Sequence, residues 1–389
     1  MDWIVAPDRD GRGLPDVVPS LLGALGVDGC TDTIGFPECR SAAVLLVDGM
    51  GWELLREHAA DAPYLASLLG APPLTAGFPT TTATSITSLG TGRCAGEHGV
   101  VGYTFAEPGG GLLHPLSWST HGTAEDAAGH RRSLLRRWPP ERAQPEPTAM
   151  DRAAAAGIDV RIAVPADFHD TGLTRAALRG ARFRGTHALG DLAAELLTAL
   201  HADGPALCYG YHGHLDMLGH QHGPGSLPWR LQLAQVDRLV AAVAERLPAS
   251  TVLAVVADHG MVGIDREQVL DADREPALRE GVRLLGGEVR ARHVYAEPGA
   301  REDVLAAWRE TIGDRGAVLT GDQSIDEGWF GPVVTDDVRP RIGDVLAVMR
   351  ESGVIRSAVE PGESSLRGQH GSLTAAEQLV PVLIAGGRG

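Results

Sequence analysis

The 389-residue chain contains no lysine, and all 34 of its basic side chains are arginine. A P-loop nucleotide hydrolase would lack its phosphate-binding lysine, and an enzyme working through a lysine Schiff base would lack its amine. Positive charge is scarce altogether, since 50 acidic residues leave a net charge of −16. That balance argues against a duplex nucleic-acid partner, which requires a basic face to displace counterions. No apolar run approaches the ~18 residues of a membrane span, and the N-terminal segment has no basic start followed by an apolar stretch. No membrane partner is therefore expected, and the expected location is the cytoplasm. Cysteine is sparse too: Cys30, Cys39, Cys94 and Cys208 lack the close pairs of a zinc ribbon and the density of a disulfide scaffold, and they read as free thiols.

What is present is an ordinary globular balance, 43% hydrophobic and 22% charged residues, with 50 glycines and 25 prolines marking many short connections. Short apolar runs that end abruptly in polar residues read as strands buried on both faces of a parallel sheet. They cover 41–51, 158–164, 205–216, 250–261 and 378–386. A helix is expected from Pro228 to Leu247, where Leu233, Val236, Val240, Val243 and Leu247 recur at helical spacing, with Ser226 placed to cap and Pro228 in the first turn. Strands alternating with helices predict a doubly wound α/β fold, whose ligands bind beyond the carboxyl ends of the strands. Residues 265–350 carry strand and helix signals of their own and read as an inserted smaller α/β cap. The remainder, 1–264 and 351–389, forms the core. The basic patch Arg131 to Arg137 reads as a solvated helix face, with a contact to a phosphate-rich group as the alternative.

Candidate chemistry gathers at the strand ends. Asp48 follows the first apolar run, and Asp258 and His259 follow the run at 250–257. A lone strand-end aspartate commonly caps the next helix, but a carboxylate and an imidazole side by side are typical ligands of a divalent metal. In the segment from His212 to Ser226, Asp216 and His220 are four apart, which puts both on one side of a helical turn, while His212, His214 and His222 crowd nearby. His370 stands alone between Gln369 and Gly371. Three aspartates and three histidines suffice for two zinc-like ions, which clamp the attacking and leaving oxygens of a phosphoryl transfer and supply the positive charge that lysine does not. The hydroxyl-rich run after Pro79 offers a nucleophile at a helix N-terminus, where free N–H groups face an anion. Local sequence does not choose among Thr80, Thr81, Thr82 and Thr84.

The ordered motifs VDGMG, FPTTT, TGRCAGEHGVVGY, LDMLGHQHGPGS, ADHGM and GQHG resemble the alkaline phosphatase superfamily, and within it the type I phosphodiesterase/nucleotide pyrophosphatase family. The resemblance runs from about Ser41 to Gly263 and returns at His370. It implies an alkaline-phosphatase-like core and two zinc sites, Asp216, His220 and His370 holding one ion and Asp48, Asp258 and His259 the other. It implies Thr82 as the nucleophile, a phosphothreonine intermediate, and hydrolysis of a small phosphate diester or pyrophosphate. Two positions depart from the family pattern. Ala83 stands where a phenylalanine usually stacks on a nucleobase, and Tyr103 replaces the asparagine that binds a phosphate oxygen, its hydroxyl being the substitute donor. Aromatics that could form a different leaving-group pocket are Phe105, Phe168, Trp229 and Trp329. The superfamily also leaves open a phosphomonoesterase, a phosphonate hydrolase or a manganese-binding mutase. A sulfatase is disfavoured, because Cys94 is followed by Ala95-Gly96-Glu97. A silent metal-binding interaction domain is the alternative of another class.

Overall fold

The seven residues from Ser41 to Val47 form a strand in which every side chain is buried, as a strand covered on both faces of a sheet requires. The structure, a computed structural model, describes residues 2–8 and 11–386. Its principal strands are β1 (Ser41–Val47), β2 (Asp159–Pro165), β3 (Arg182–Thr186), β4 (Ala206–His212), β5 (Thr251–Val256), β6 (Val282–Glu288), β7 (Ala291–Ala296), β8 (Gly316–Thr320), β9 (Val345–Met349) and β10 (Val382–Gly386). Its principal helices are α1 (Thr82–Thr91), α2 (Leu189–Leu200), α3 (His214–His222), α4 (Leu227–Ala244) and α5 (Arg301–Ile312).

The central sheet has the order β10-β5-β1-β4-β2-β3. Strands β1 to β5 run parallel, and β10 pairs antiparallel with β5. The last apolar run is thus a strand, as expected, but not a parallel one. It follows a short pairing of Leu379 and Val380 with Leu74 and Thr75. Strand β3 escapes the sequence reading because it is an edge strand of polar composition, RFRGT, with mostly exposed side chains. Helix α4 buries Leu233, Val236, Val240 and Val243, each contributing roughly 1.5–3 kcal/mol by its burial. It ends three residues before Leu247, and Ser226 sits at the N-cap without its hydroxyl accepting a cap bond.

A second sheet, in the order β6-β7-β9-β8, is antiparallel throughout. With α5 it encloses its own apolar cluster, in which Val294, Val304, Trp308, Ile312 and Val345 meet. The segment 130–138 is not a helix, contrary to the sequence reading. Its Leu134 and Trp138 are buried, while Arg131 and Arg137 reach Glu363 and Glu107 at 3.8 and 3.3 Å. All four cysteines are free thiols. Among the described residues no helix is long and apolar enough to cross a membrane.

Candidate active site

Strand register places the first two aspartates. Leu46 of β1 pairs with Val256 of β5, so Asp48 and Asp258 leave the sheet at the same height, two residues beyond that pair. On the other side Val47 pairs with His212, and α3 begins two residues later. Asp216 and His220, four apart on α3, therefore face the same space, with His220 Nε2 3.3 Å from Asp216 Oδ2. Gly49 lies between the aspartates at φ +72, and a Cβ there would sit 3.0 Å from the Cβ of Asp216. Its N–H donates to Asp258 Oδ1 at 3.0 Å. His370 arrives from the far end of the chain, because Gln369 pairs with Val262 just after the Asp258-His259 turn.

The six side chains fall into two groups, Asp48, Asp258 and His259, and Asp216, His220 and His370. Within each group, one donor atom per residue lies within 4.8 Å of the others. The groups touch through the stacked rings of His259 and His370, whose centroids are 3.6 Å apart. All three histidines are oriented alike. His220 Nδ1 meets the Gly368 carbonyl at 2.7 Å, His259 Nδ1 that of Gly260 at 2.9 Å, and His370 Nδ1 that of Thr80 at 2.8 Å. A carbonyl only accepts, so each Nδ1 carries the proton and each Nε2 presents a lone pair to the site. The aspartates each keep one buried oxygen without a hydrogen-bond partner: Asp48 Oδ1, Asp216 Oδ1 and Asp258 Oδ2.

Electrostatics points the same way. Burial, then the charges of Asp258 and Asp216, pushes the Asp48 carboxyl well above the usual carboxylate range. Burial, then His259, pushes His370 well below the usual imidazole range. Burial opposes ionisation of Asp216 too, but His220, His370 and His259 outweigh it and hold that carboxyl low. Crowded carboxylates with free oxygens and imidazoles whose Nε2 atoms face inward fit divalent cations.

Helix α1 supplies the hydroxyl. All its residues are buried except the first, Thr82. The rest of the hydroxyl run is structural: Thr87 and Thr91 donate to the carbonyls four residues back, each at 2.7 Å. Thr80 donates to the Ser372 carbonyl at 2.9 Å, and Thr81 and Thr84 are each 1% exposed. Thr82, the one residue of the helix that is not buried, has its Oγ1 3.2 Å from His259 Nε2. The geometry thus separates Thr82 from the neighbours that local sequence could not. Tyr103 lines the same space, but its hydroxyl donates to Glu363 at 3.0 Å.

Two cavities open on Thr82 and Asp216. One, of about 260 Å³, also includes Tyr103, Glu288, Glu360, Glu363 and His370. The other, of about 290 Å³, also includes Ile86, Val164, Phe168, Leu173, Tyr209 and Tyr211. Leu116 belongs to both. Of the aromatics singled out in the sequence, Phe168 alone lines either cavity. Phe105 and Trp229 are fully buried, and Trp329 packs edge-on against Phe78.

Sequence reasoning missed two supports. Tyr211 donates its hydroxyl to Asp48 Oδ2 at 2.5 Å from the neighbouring strand β4. In Tyr211→Phe we expect the affinity for metal to fall about 10–100-fold with the fold retained; titration of the metal-stripped variant measures it. The second is Glu377, fully buried, which takes Arg290 in a two-pronged pair at 2.8 and 2.7 Å and also accepts from Ser372 N and Thr374. Its carbonyl accepts from Gly260 N, so one residue ties the His259 turn, the His370 loop and the β6-β7 hairpin together. No local pattern marks either residue, because each acts through a partner more than 80 positions away.

The fold and this donor arrangement define a metal-dependent hydrolase of phosphoric esters. The chain belongs to the type I phosphodiesterase/nucleotide pyrophosphatase family, whose model matches residues 42–373. Among solved structures it is similar to murine ectonucleotide pyrophosphatase/phosphodiesterase 5, an inactive variant in complex with AMP. Identity is 18%, 90% of this chain and 88% of that chain are covered, and the TM-score is 0.67. The human counterpart gives 17% identity, coverage of 89% and 87%, and a TM-score of 0.65. No curated protein sequence matches the chain. The α/β core, with its mostly parallel sheet flanked by helices, is accordingly of the alkaline phosphatase type.

Proposed function

We propose that the protein hydrolyses small phosphate diesters or pyrophosphates, with Thr82 as nucleophile and two zinc ions as cofactors. Asp48, Asp258 and His259 would hold one ion, and Asp216, His220 and His370 the other. The observation that carries the diester reading is the pair of cavities meeting at Thr82 and Asp216, since a diester has two substituents to place and a monoester one.

The residues' own roles follow from their positions. Thr82 heads α1, where unpaired backbone N–H groups face the phosphoryl group and stabilise its negative charge. Its hydroxyl oxygen lies 3.2 Å from His259 Nε2, beside the ion that Asp48, Asp258 and His259 would hold, and its proton leaves with the departing alcohol. Bond formation from Thr82 Oγ1 to phosphorus, with departure of one alcohol, gives a phosphothreonine, and attack by water returns the free hydroxyl. Bound divalent ions supply the charge that lowers the pKa of the hydroxyl and of water and neutralises the phosphoryl oxygens. The Nδ1 bonds to backbone carbonyls keep the three imidazoles in place during this cycle.

A nucleotide such as AMP, the ligand of the murine relative, lacks here the aromatic partner that Ala83 replaces. Phe168 in the second cavity is the available stacking surface. The test compares bis(4-nitrophenyl) phosphate with 4-nitrophenyl phosphate. The diester is expected to be the better substrate by kcat/KM; preference for the monoester would favour a phosphomonoesterase.

A further inference from the structure

Neither cavity beside Thr82 is lined by an arginine, and the Tyr103 hydroxyl is committed to Glu363. A phosphoryl group at Thr82 thus meets, beyond the two groups of metal donors, the backbone N–H groups at the start of α1. The first backbone bond of that helix runs from Ser85 N to the Thr81 carbonyl at 2.9 Å, which leaves the N–H groups of Thr82, Ala83 and Thr84 outside the helical ladder. Thr81 is the N-cap residue, extended at φ −137 and ψ 142. A threonine there ordinarily turns its hydroxyl onto the N–H of the second or third helical residue, here Ala83 or Thr84. Thr81 makes no such bond, so its hydroxyl leaves that end of the helix open.

The side chain that holds this hydroxyl elsewhere is Glu288. It ends β6, and the hairpin it stands on is fastened to the core. Gly287 takes φ +78, its N–H donates to the Thr104 carbonyl at 2.8 Å, and the Thr104 hydroxyl donates to the Gly287 carbonyl at 2.9 Å. The buried Glu288 carboxylate accepts from the Thr81 side chain and the Tyr103 N–H, and its Oε2 is 3.6 Å from His370 Nδ1. Gly371 makes room for it, since a Cβ there would lie 2.6 Å from Glu288 Cγ. We infer that Glu288 is a positioning residue for the helix of the nucleophile: by engaging the Thr81 hydroxyl it keeps that hydroxyl from capping α1, so that the N–H groups stay open to phosphoryl oxygens. This inference rests on the reading of Thr82 as the point of phosphoryl attachment.

A double-mutant cycle tests it. Glu288→Met is of similar length but accepts no such bond, and Thr81→Val keeps the branched shape without an oxygen that could cap. Two quantities are read on metal-loaded protein: the affinity for inorganic phosphate by calorimetric titration, which needs no turnover, and kcat/KM for bis(4-nitrophenyl) phosphate. With Thr81 intact, Glu288→Met should weaken phosphate by about fivefold or more and lower kcat/KM by about tenfold, the scale of a capping bond formed on donors that the phosphoryl group uses. In the Thr81→Val background the same change should alter either quantity by less than about twofold, because no hydroxyl is left to swing inward. Equal losses in both backgrounds, of affinity, turnover or metal content, would mean that Glu288 acts through His370 or through packing, and would overturn the inference. So would the absence of any loss with Thr81 intact. Glu288→Asp, whose carboxylate is one methylene shorter, runs the same cycle should the methionine variant fail to fold. If the phosphate pattern holds while neither nitrophenyl ester is cleaved, the hydrolase reading falls and the positioning role stands.

Discussion

Thr82→Ala is expected to lower turnover of bis(4-nitrophenyl) phosphate by more than about a thousandfold, the scale seen when a covalent nucleophile is removed. The loss should come without unfolding. Thr82 is the only residue of its helix that is not buried, and its hydroxyl is bonded within the protein only to His259, at 3.2 Å. The helix core, closed by the Thr87 and Thr91 back-bonds, does not depend on it. Metal content should therefore stay near that of the parent, which separates loss of the nucleophile from loss of the site. Thr82→Ser, which keeps a hydroxyl, should retain measurable turnover. Unchanged turnover in the alanine variant would move the nucleophile elsewhere.

Asp258→Asn is expected to have a comparably large effect by a different route. Asp258 Oδ1 accepts from the N–H groups of Gly49 and His259, at 3.0 and 3.1 Å, while its Oδ2 has no partner. An asparagine keeps the two bonds with its amide oxygen and places an NH2 group where the free carboxylate oxygen stood. The local fold survives, but an N–H donor replaces a metal ligand. Activity should fall by more than about a hundredfold, and metal analysis should find one ion fewer per chain. Full metal content with normal activity would remove Asp258 from the site.

These variants bear on what could be read before the structure. Asp48, Asp258 and His259 were legible because a strand buried on both faces is an unbroken apolar run, and the first polar residues after it must stand at the sheet edge. Asp216 and His220 were legible through their spacing of four on one helix. His370 carried no local signal, and only the ordered set of motifs picked it out. Its placement depends on the Gln369–Val262 pairing, which joins segments more than 100 residues apart. To local sequence Thr82 was one of four equivalent hydroxyls, singled out only by the family resemblance, and tertiary packing buries the other three. The direction of β10 was misread because burial alone does not distinguish parallel from antiparallel pairing at a sheet edge. Segment 130–138 was misread as a helix face because Leu134 and Trp138, buried between exposed arginines, stand four apart as on a helix. Glu288, Tyr211 and Glu377 became visible only when distant strands and loops were brought together.

The central claim is that two groups of three donors hold two divalent ions on which the chemistry depends. Metal analysis of the purified protein, with activity followed through chelation and stepwise return of zinc, tests it most directly. The account predicts about two ions per chain, activity lost with chelator, and recovery that is complete only when both groups are filled. A metal-free preparation with full activity would contradict it.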